Sequence, residues 1–294
     1  AQTRYLCRNP AFEQTHGGHG KTVWGCRQAI EAVMNSSQEL NEPITIFIAS
    51  WGRPIYLWSC LDSLYRTIES PARVVLLDNA HPDPLIRQVI AGFERRELFA
   101  EVVRFPTNRF ENITKAYEER LVDVGPWHVY MESDVIASCS HGCWLSEMYR
   151  IVQADPSIGM LGSLIDTHDF LDAEKARQLM SGDTHSAEFL AKLNSPERAF
   201  TGAPQWADES RDSFPTEPPC PIGNPPGRLM MLRTDIIREH GFQLDTPLAE
   251  CFRKQGFRPA VTARVRHRHL SLLNIFDHTD YSQTNRDQFF TTHS

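Results

Sequence analysis

From Pro43 onward, short apolar runs rich in β-branched residues alternate with amphipathic stretches of helical period. ITIFIAS (44–50) reads as a buried strand. Behind it, Leu57, Leu61, Leu64, Tyr65 and Ile68 recur at helical spacing, with Pro54 where a first helical turn accepts proline. ARVVLLDN (72–79) repeats the strand signal, and DPLIRQVIAGFERR places Leu85, Val89, Ile90 and Phe93 on one helical face. EVVRF (101–105), a helical NITKAYEERLVDV, WHVYMESD (127–134), a helical GCWLSEMYRIVQA and IGMLGSLI (158–165) complete the series. Such alternation implies βαβ units with right-handed crossovers, and so a mostly parallel central sheet flanked by helices. Ligands of such sheets bind at the carboxyl ends of the strands. Those ends are Ser50–Arg53, Asp78–Asn79, the loop after Phe105, and Glu132-Ser133-Asp134.

After Ile165 the pattern weakens. Residues 166–226 hold a helical piece, DAEKARQLMSG, and a proline-rich stretch within 213–226; a loop this long in a compact domain is commonly functional. Order then returns: RTDIIREHG and TPLAECFRKQG read as helices stopped by Gly241 and Gly256, and FRPAVTARVRH as a strand. The expected organisation is an extension over 1–42, a ligand-binding half over 43–165 and a second half over 166–294, in one large α/β domain.

Composition narrows the partners. A chain of 294 residues with 41% apolar and 23% charged positions has material for a sizeable core, so it is not a disordered chain. A net charge of −7 argues against a protein that mainly coats nucleic-acid phosphates, RVRHRH being the one basic cluster. No apolar run is long enough to span a bilayer. Seven cysteines, an odd number, fit reduced thiols in a cytosol better than a full disulfide framework, while the sequons at Asn35 and Asn112 keep a lumenal origin open.

Two short motifs fail on context. Gly20-Lys21-Thr22 ends like a phosphate-binding loop, but Thr15 stands where that loop needs its first glycine, and no strand feeds it. Cys139, His141 and Cys143 have the look of a zinc half-site without a second pair at matching spacing.

The acids at the end of the fourth strand carry more. Glu132 and Asp134 lie two residues apart, so on an extended segment both side chains point one way, toward one cation or one polyhydroxyl ligand. Mg2+ or Mn2+ is commonly held by one or two carboxylates plus substrate phosphates. The plain alternative is acids that end a strand at the surface.

Taken together, TIFIASWGRPIYLWSCLDSL, ARVVLLDNAHPD and WHVYMESDV resemble the GT-A nucleotide-sugar glycosyltransferases, particularly the family-two group, over residues 43 to about 165. In that family the first strand leads to a Pro-Thr-Tyr-Asn-Arg-like turn, the second ends in Val-Asp-Asn or Val-Asp-Asp, and the fourth carries Asp-x-Asp. The resemblance implies a GT-A, Rossmann-like fold with Mn2+ or Mg2+ as cofactor, a nucleotide-sugar donor and a glycan or other hydroxyl acceptor. It places Ala49, Ser50, Trp51 and Arg53 at the turn beside the nucleotide and Asp78, with Asn79, at the base. Glu132 and Ser133 then lie near the ribose or metal, and Asp134 is the main metal ligand. The turn here reads Ala-Ser-Trp-Gly-Arg, and the glycine-bearing segment often found after the third strand is replaced by NRFENITKAY.

Farther on, GFQLDTPLAECFRKQG resembles the segment in which inverting members carry their catalytic base. Asp245 falls at one acidic position there and Glu250 is held in reserve; Asp245 ahead of Thr246-Pro247 serves equally well as a helix cap. VRHRH puts His267 and His269 where many GT-A enzymes complete the metal site with a histidine, and spacing does not choose between them. Arg266, Arg268 or Lys254 are candidates for the donor diphosphate. Trp127, Trp144 and Trp206 offer faces for sugar rings or simply fill core.

The functional expectation is metal-dependent transfer of a sugar, from a UDP-sugar by preference, in polysaccharide biosynthesis in the cytoplasm. The alternatives are a metal-dependent phosphoester hydrolase and an inactive nucleotide- or glycan-binding module. A sugar-phosphate nucleotidyltransferase is disfavoured because ASWGRP lacks the glycine-rich loop that class requires.

Overall fold

All seven residues of strand β1 (Ile44–Ser50) are buried, because the strand lies inside a sheet covered on both faces. Ile44, Ile46 and Ile48 point into one apolar layer, and Phe47 and Ala49 into the other. This is the near-continuous apolar run that a two-sided sheet demands. The structure is a computed structural model that describes residues 42–139, 142–166, 220–221 and 228–270.

In chain order the elements are β1, α1 (Pro54–Thr67), β2 (Ala72–Asp78), α2 (Pro84–Glu94), β3 (Glu101–Arg104) and α3 (Phe110–Arg120), closed by a 3-10 turn at Leu121–Asp123. Then follow β4 (Trp127–Glu132), β5 (Val135–Cys139), α4 (Trp144–Ala154), β6 (Ile158–Ile165) and β7 (Cys220–Pro221). The described chain ends with β8 (Leu229–Arg233), α5 (Thr234–His240), α6 (Asp245–Lys254) and β9 (Arg258–His269).

The sheet runs β3-β2-β1-β4-β8-β6-β9-β5, with the short β7 also on β9. Its first four strands are parallel; β8 then enters antiparallel between β4 and β6, and β5 pairs antiparallel with β9. Helices α1, α2 and α4 bury Leu61, Phe93 and Trp144 against one face. Helices α3, α5 and α6 bury Tyr117, Ile237 and Phe252 against the other. The fold class is therefore the expected one.

Several boundaries depart from expectation. The fourth strand stops at Glu132, and Ser133-Asp134 form a turn into β5, a strand not anticipated. LMML was not anticipated as a strand either; as β8 it lies between β4 and β6 and is buried over Leu229–Leu232. Trp127 and Trp144 are core residues, which settles them as packing. Along β9, Ser163 of β6 faces Thr262 but Leu164 faces Arg266, so three residues, Ala263–Val265, bulge out of register. Residues 1–41, His141, Trp206 and nearly all of the proline-rich stretch lie outside the described residues. Among the described residues no helix is long and apolar enough to cross a membrane.

Candidate metal and nucleotide site

The ends of β1, β2 and β4 stand side by side because Ser50 is in register with Asp78, and Ala49 with Glu132. The Asn79 N–H donates to Ser50 O at 3.1 Å, and the Ser133 N–H to Ala49 O at 3.1 Å, so the three loops leave the sheet tied to one another. The first of them reverses sharply. Gly52 has φ +99°, and a Cβ there would sit 2.5 Å from the His81 imidazole; Arg53 follows at φ 59°. Only glycine fits position 52 without displacing His81.

This turn delivers Arg53 to Asp134, with Nη1 3.6 Å from Oδ2. It also lays Trp51 parallel to Phe110, with centroids 5.9 Å apart. On the next loop, Asn79 accepts from the Arg109 N–H at 3.0 Å and donates to Asn108 Oδ1 at 2.9 Å, fixing the segment after β3. Asp78 is 8% exposed, and burial raises its carboxyl above the ordinary range against the opposing pull of Arg104 and His81. The Ser50 hydroxyl is buried with no hydrogen-bond partner among the described residues.

Glu132 and Asp134 converge for a reason other than strand alternation. Glu132 ends β4, whereas Asp134 sits in the turn, where its carbonyl accepts from the Leu270 N–H at 2.8 Å. That bond and the pairing of Val135 with His269 bring the end of β9 against the acids. The His269 Nε2 lies 3.2 Å from Asp134 Oδ2. Glu132, Asp134 and His269 thereby offer two carboxylate oxygens and one imidazole nitrogen within 4.8 Å of one another. Oxygen donors with a single nitrogen suit Mn2+ and, less well, Mg2+. The cluster fits a divalent cation.

His267 is different. It is fully buried, its Nδ1 lies 2.6 Å from Ser163 Oγ, and burial, helped by His269 and Arg228, lowers its pKa to about 3. It is outside the three-residue cluster. Arg266 and Arg268 alternate with the histidines along β9 and so occupy the opposite side of the strand.

The cation that sequence reading missed is Arg228, whose guanidinium pairs with the Glu132 carboxylate. Its carbonyl also accepts from the Glu132 N–H at 3.0 Å. It precedes β8 by one residue and reaches the site only through the pairing of that strand with β4. Glu132 is pushed above the usual carboxylate range by burial, with Arg228 opposing and Asp134 adding to the rise. Beneath the acids, the buried Cys60 thiol is raised chiefly by burial and then by the charge of Asp134.

Asp245 is the first residue of α6, with Leu244 at the N-cap position. Glu250 is exposed on the same helix, whose Leu248, Ala249 and Phe252 face the core.

No protein-family model matches the chain, and no curated protein matches it in sequence. Solved structures do. The mannosyltransferase PcManGT from Pyrobaculum calidifontis, in complex with GDP-Man and Mn2+, superposes over 84% of this chain with a TM-score of 0.51 and 14% identity. GalNAc-T7 with UDP, GalNAc and Mn2+ superposes over 78%, with a TM-score of 0.53 and 11% identity. The chain spans 64% and 44% of the lengths of these two proteins. At such identities the likeness is one of architecture, and it gives this chain the GT-A fold of nucleotide-sugar glycosyltransferases.

Proposed function

We propose that the protein is a metal-dependent glycosyltransferase that moves a sugar from a nucleotide-diphosphate donor to an acceptor hydroxyl. The observation that carries this reading is the Glu132–Asp134–His269 cluster, set at the carboxyl ends of β1, β2 and β4 and flanked by Arg53 and Arg228. The two structural neighbours, each solved with Mn2+ and with GDP-Man or UDP, support it. A UDP- or GDP-sugar is the donor class to try first, with UDP preferred.

In this reading Asp134, Glu132 and His269 hold Mn2+ or Mg2+, which supplies Lewis-acid stabilisation of charge on the leaving diphosphate. Asp78 and Asn79 receive the base, and the buried Asp78 carboxyl is suited to a hydrogen bond with a ring N–H. Ala49, Ser50 and Trp51 line the nucleotide, with Ser133 beside it. Ser50 supplies a buried hydroxyl that no described residue engages. Arg53 faces the diphosphate with two or more N–H donors. Asp245 is the proposed base that takes the proton of the acceptor hydroxyl, with Glu250 in reserve.

Calorimetric titration of UDP, GDP, CMP and dTDP and their common sugars, with and without Mn2+, tests the reading. One nucleoside diphosphate should bind tightly, and Asp134→Ala should weaken it at least tenfold, a loss of about 1.4 kcal/mol or more. If no nucleotide binds under any metal condition, the donor site is refuted. Turnover of simple phosphomonoesters would then favour the hydrolase.

A further inference from the structure

Each acid of the cluster faces an arginine, but the two pairs are not alike. Arg53 Nη1 stands 3.6 Å from Asp134, on an oxygen that also faces His269 at 3.2 Å. Arg228 instead makes a direct hydrogen-bonded pair with Glu132, and its main chain is fastened to the same residue by the 3.0 Å bond from the Glu132 N–H. The Glu132 side chain is only 13% exposed, whereas that of Arg228 is 40% exposed. Arg228 is thus a long side chain on a fixed stem, with its tip at the edge of the site.

Charge makes this pair consequential. Two carboxylates balance two guanidiniums, so the site as it stands is close to neutral. A divalent cation drawn to Glu132 meets a guanidinium already on the carboxylate, and the crowding of positive charge opposes its entry. Once the cation is in, the surplus is two positive charges, the amount that a nucleotide-sugar diphosphate brings in negative ones.

We propose that Arg228 is an internal counterion that holds Glu132 until a divalent cation and a diphosphate arrive together, when its guanidinium passes from the carboxylate to the diphosphate oxygens. The inference rests on the donor reading above and deepens it. Arginine suits both partners, since its planar fork matches carboxylate and phosphate alike. No bond is made or broken; one ion pair replaces another. The exchange makes cation and nucleotide binding favour each other, and by linkage the effect is equal in both directions.

The test measures Mn2+ binding by the electron paramagnetic resonance signal of the free ion. It uses the full chain, with and without saturating UDP or GDP, for wild type, Arg228→Gln and Arg228→Lys. Arg228→Gln should bind Mn2+ alone about three- to tenfold more tightly, since a half-exposed ion pair no longer competes. It should also lose most of the nucleotide-induced gain in Mn2+ affinity, a gain expected within about 5- to 150-fold in the wild type. Arg228→Lys should lie between the two. Circular dichroism of each variant establishes that it is folded.

A folded Arg228→Gln that binds Mn2+ alone no more tightly than wild type overturns the counterion role. A coupling equal to that of wild type overturns the transfer to the diphosphate. If neither UDP nor GDP binds the wild type, the donor reading fails and the transfer fails with it. Tighter Mn2+ binding by Arg228→Gln would in that case still uphold the counterion step.

Discussion

The parallel strands β1, β2 and β4 and the strands β8 and β9 meet at one acidic turn, but they bring different things to it. The parallel region supplies the acids Asp78, Glu132 and Asp134 and the Gly52-Arg53 reversal, at or just after the ends of β2, β4 and β1. The other region supplies Arg228 and His269, one reaching Glu132 from the start of β8 and the other reaching Asp134 from the end of β9. His269 lies 135 residues from Asp134 in sequence. The first region positions its groups through local turns, the second through strand pairing, so damage to each should show in a different measurement.

The largest effect is expected at the seam between them. His128, on β4, joins the Tyr117 hydroxyl of α3 to the Thr234 hydroxyl of α5, and burial above all, with Arg238 adding, lowers its pKa to about 3. The folded value is below the unfolded one of about 6.5, so between these limits the unfolded chain takes up the proton. Stability is therefore full above pH 6.5 and falls by up to about 1.4 kcal/mol per unit below it, reaching about 3 kcal/mol by pH 4.5. Urea unfolding of His128→Gln between pH 7.5 and 5 should show a visibly shallower loss; an unchanged slope would remove His128 from the account.

A smaller effect separates the two regions. Gly52→Ala forces a Cβ into the His81 ring at positive φ, and should cost about 2–3 kcal/mol while weakening metal-dependent nucleotide binding. Gly159→Ala places a Cβ 2.6 Å from Phe257 Cβ, between β6 and the start of β9. It should cost about 1–3 kcal/mol but leave nucleotide binding of the folded protein intact. Equal binding losses in the two variants would erase the distinction between the regions.

The smallest contrast lies within β9. His269→Ala should lower Mn2+ affinity at least tenfold, about 1.4 kcal/mol, with little change in Tm. His267→Ala should lower Tm through the lost Ser163 contact and move Mn2+ affinity less. The reverse order would make His267 the ligand.

What could be read from the chain follows the same division. The alternation of ITIFIAS, ARVVLLDN and EVVRF with amphipathic helices marks β1–β3 within a residue or so, because a two-sided parallel strand is apolar along its whole length. The β5 strand was hidden because VIASC follows the acids after a two-residue turn and looks like a continuation of β4. LMML was hidden because it stands between a proline-rich stretch and the helix of RTDIIREHG, with no spacer of its own. Glu132 and Asp134 were legible as a pair, yet the strand alternation invoked for them is not what joins them; the turn and the Leu270 bond are. No local pattern marks Arg228, since its meaning depends on a strand pairing between β4 and β8.

The bulge at Ala263–Val265 turns β9 from a strand into a kind of phase setter. Beyond it, His267 and His269 are buried, while Arg266 and Arg268 are half-buried on the other side. Side chains alternate with every residue, so the parity of that segment decides which set meets the acids. Lengthening it by one residue would offer Arg268 to Asp134 in place of an imidazole, exchanging a cation-binding site for a closed ion pair. Adding two would offer His267 there instead, one pair of residues out of step. Lengthening at this point is thus tolerable in even steps and ruinous in odd ones, a rule that no single substitution would reveal.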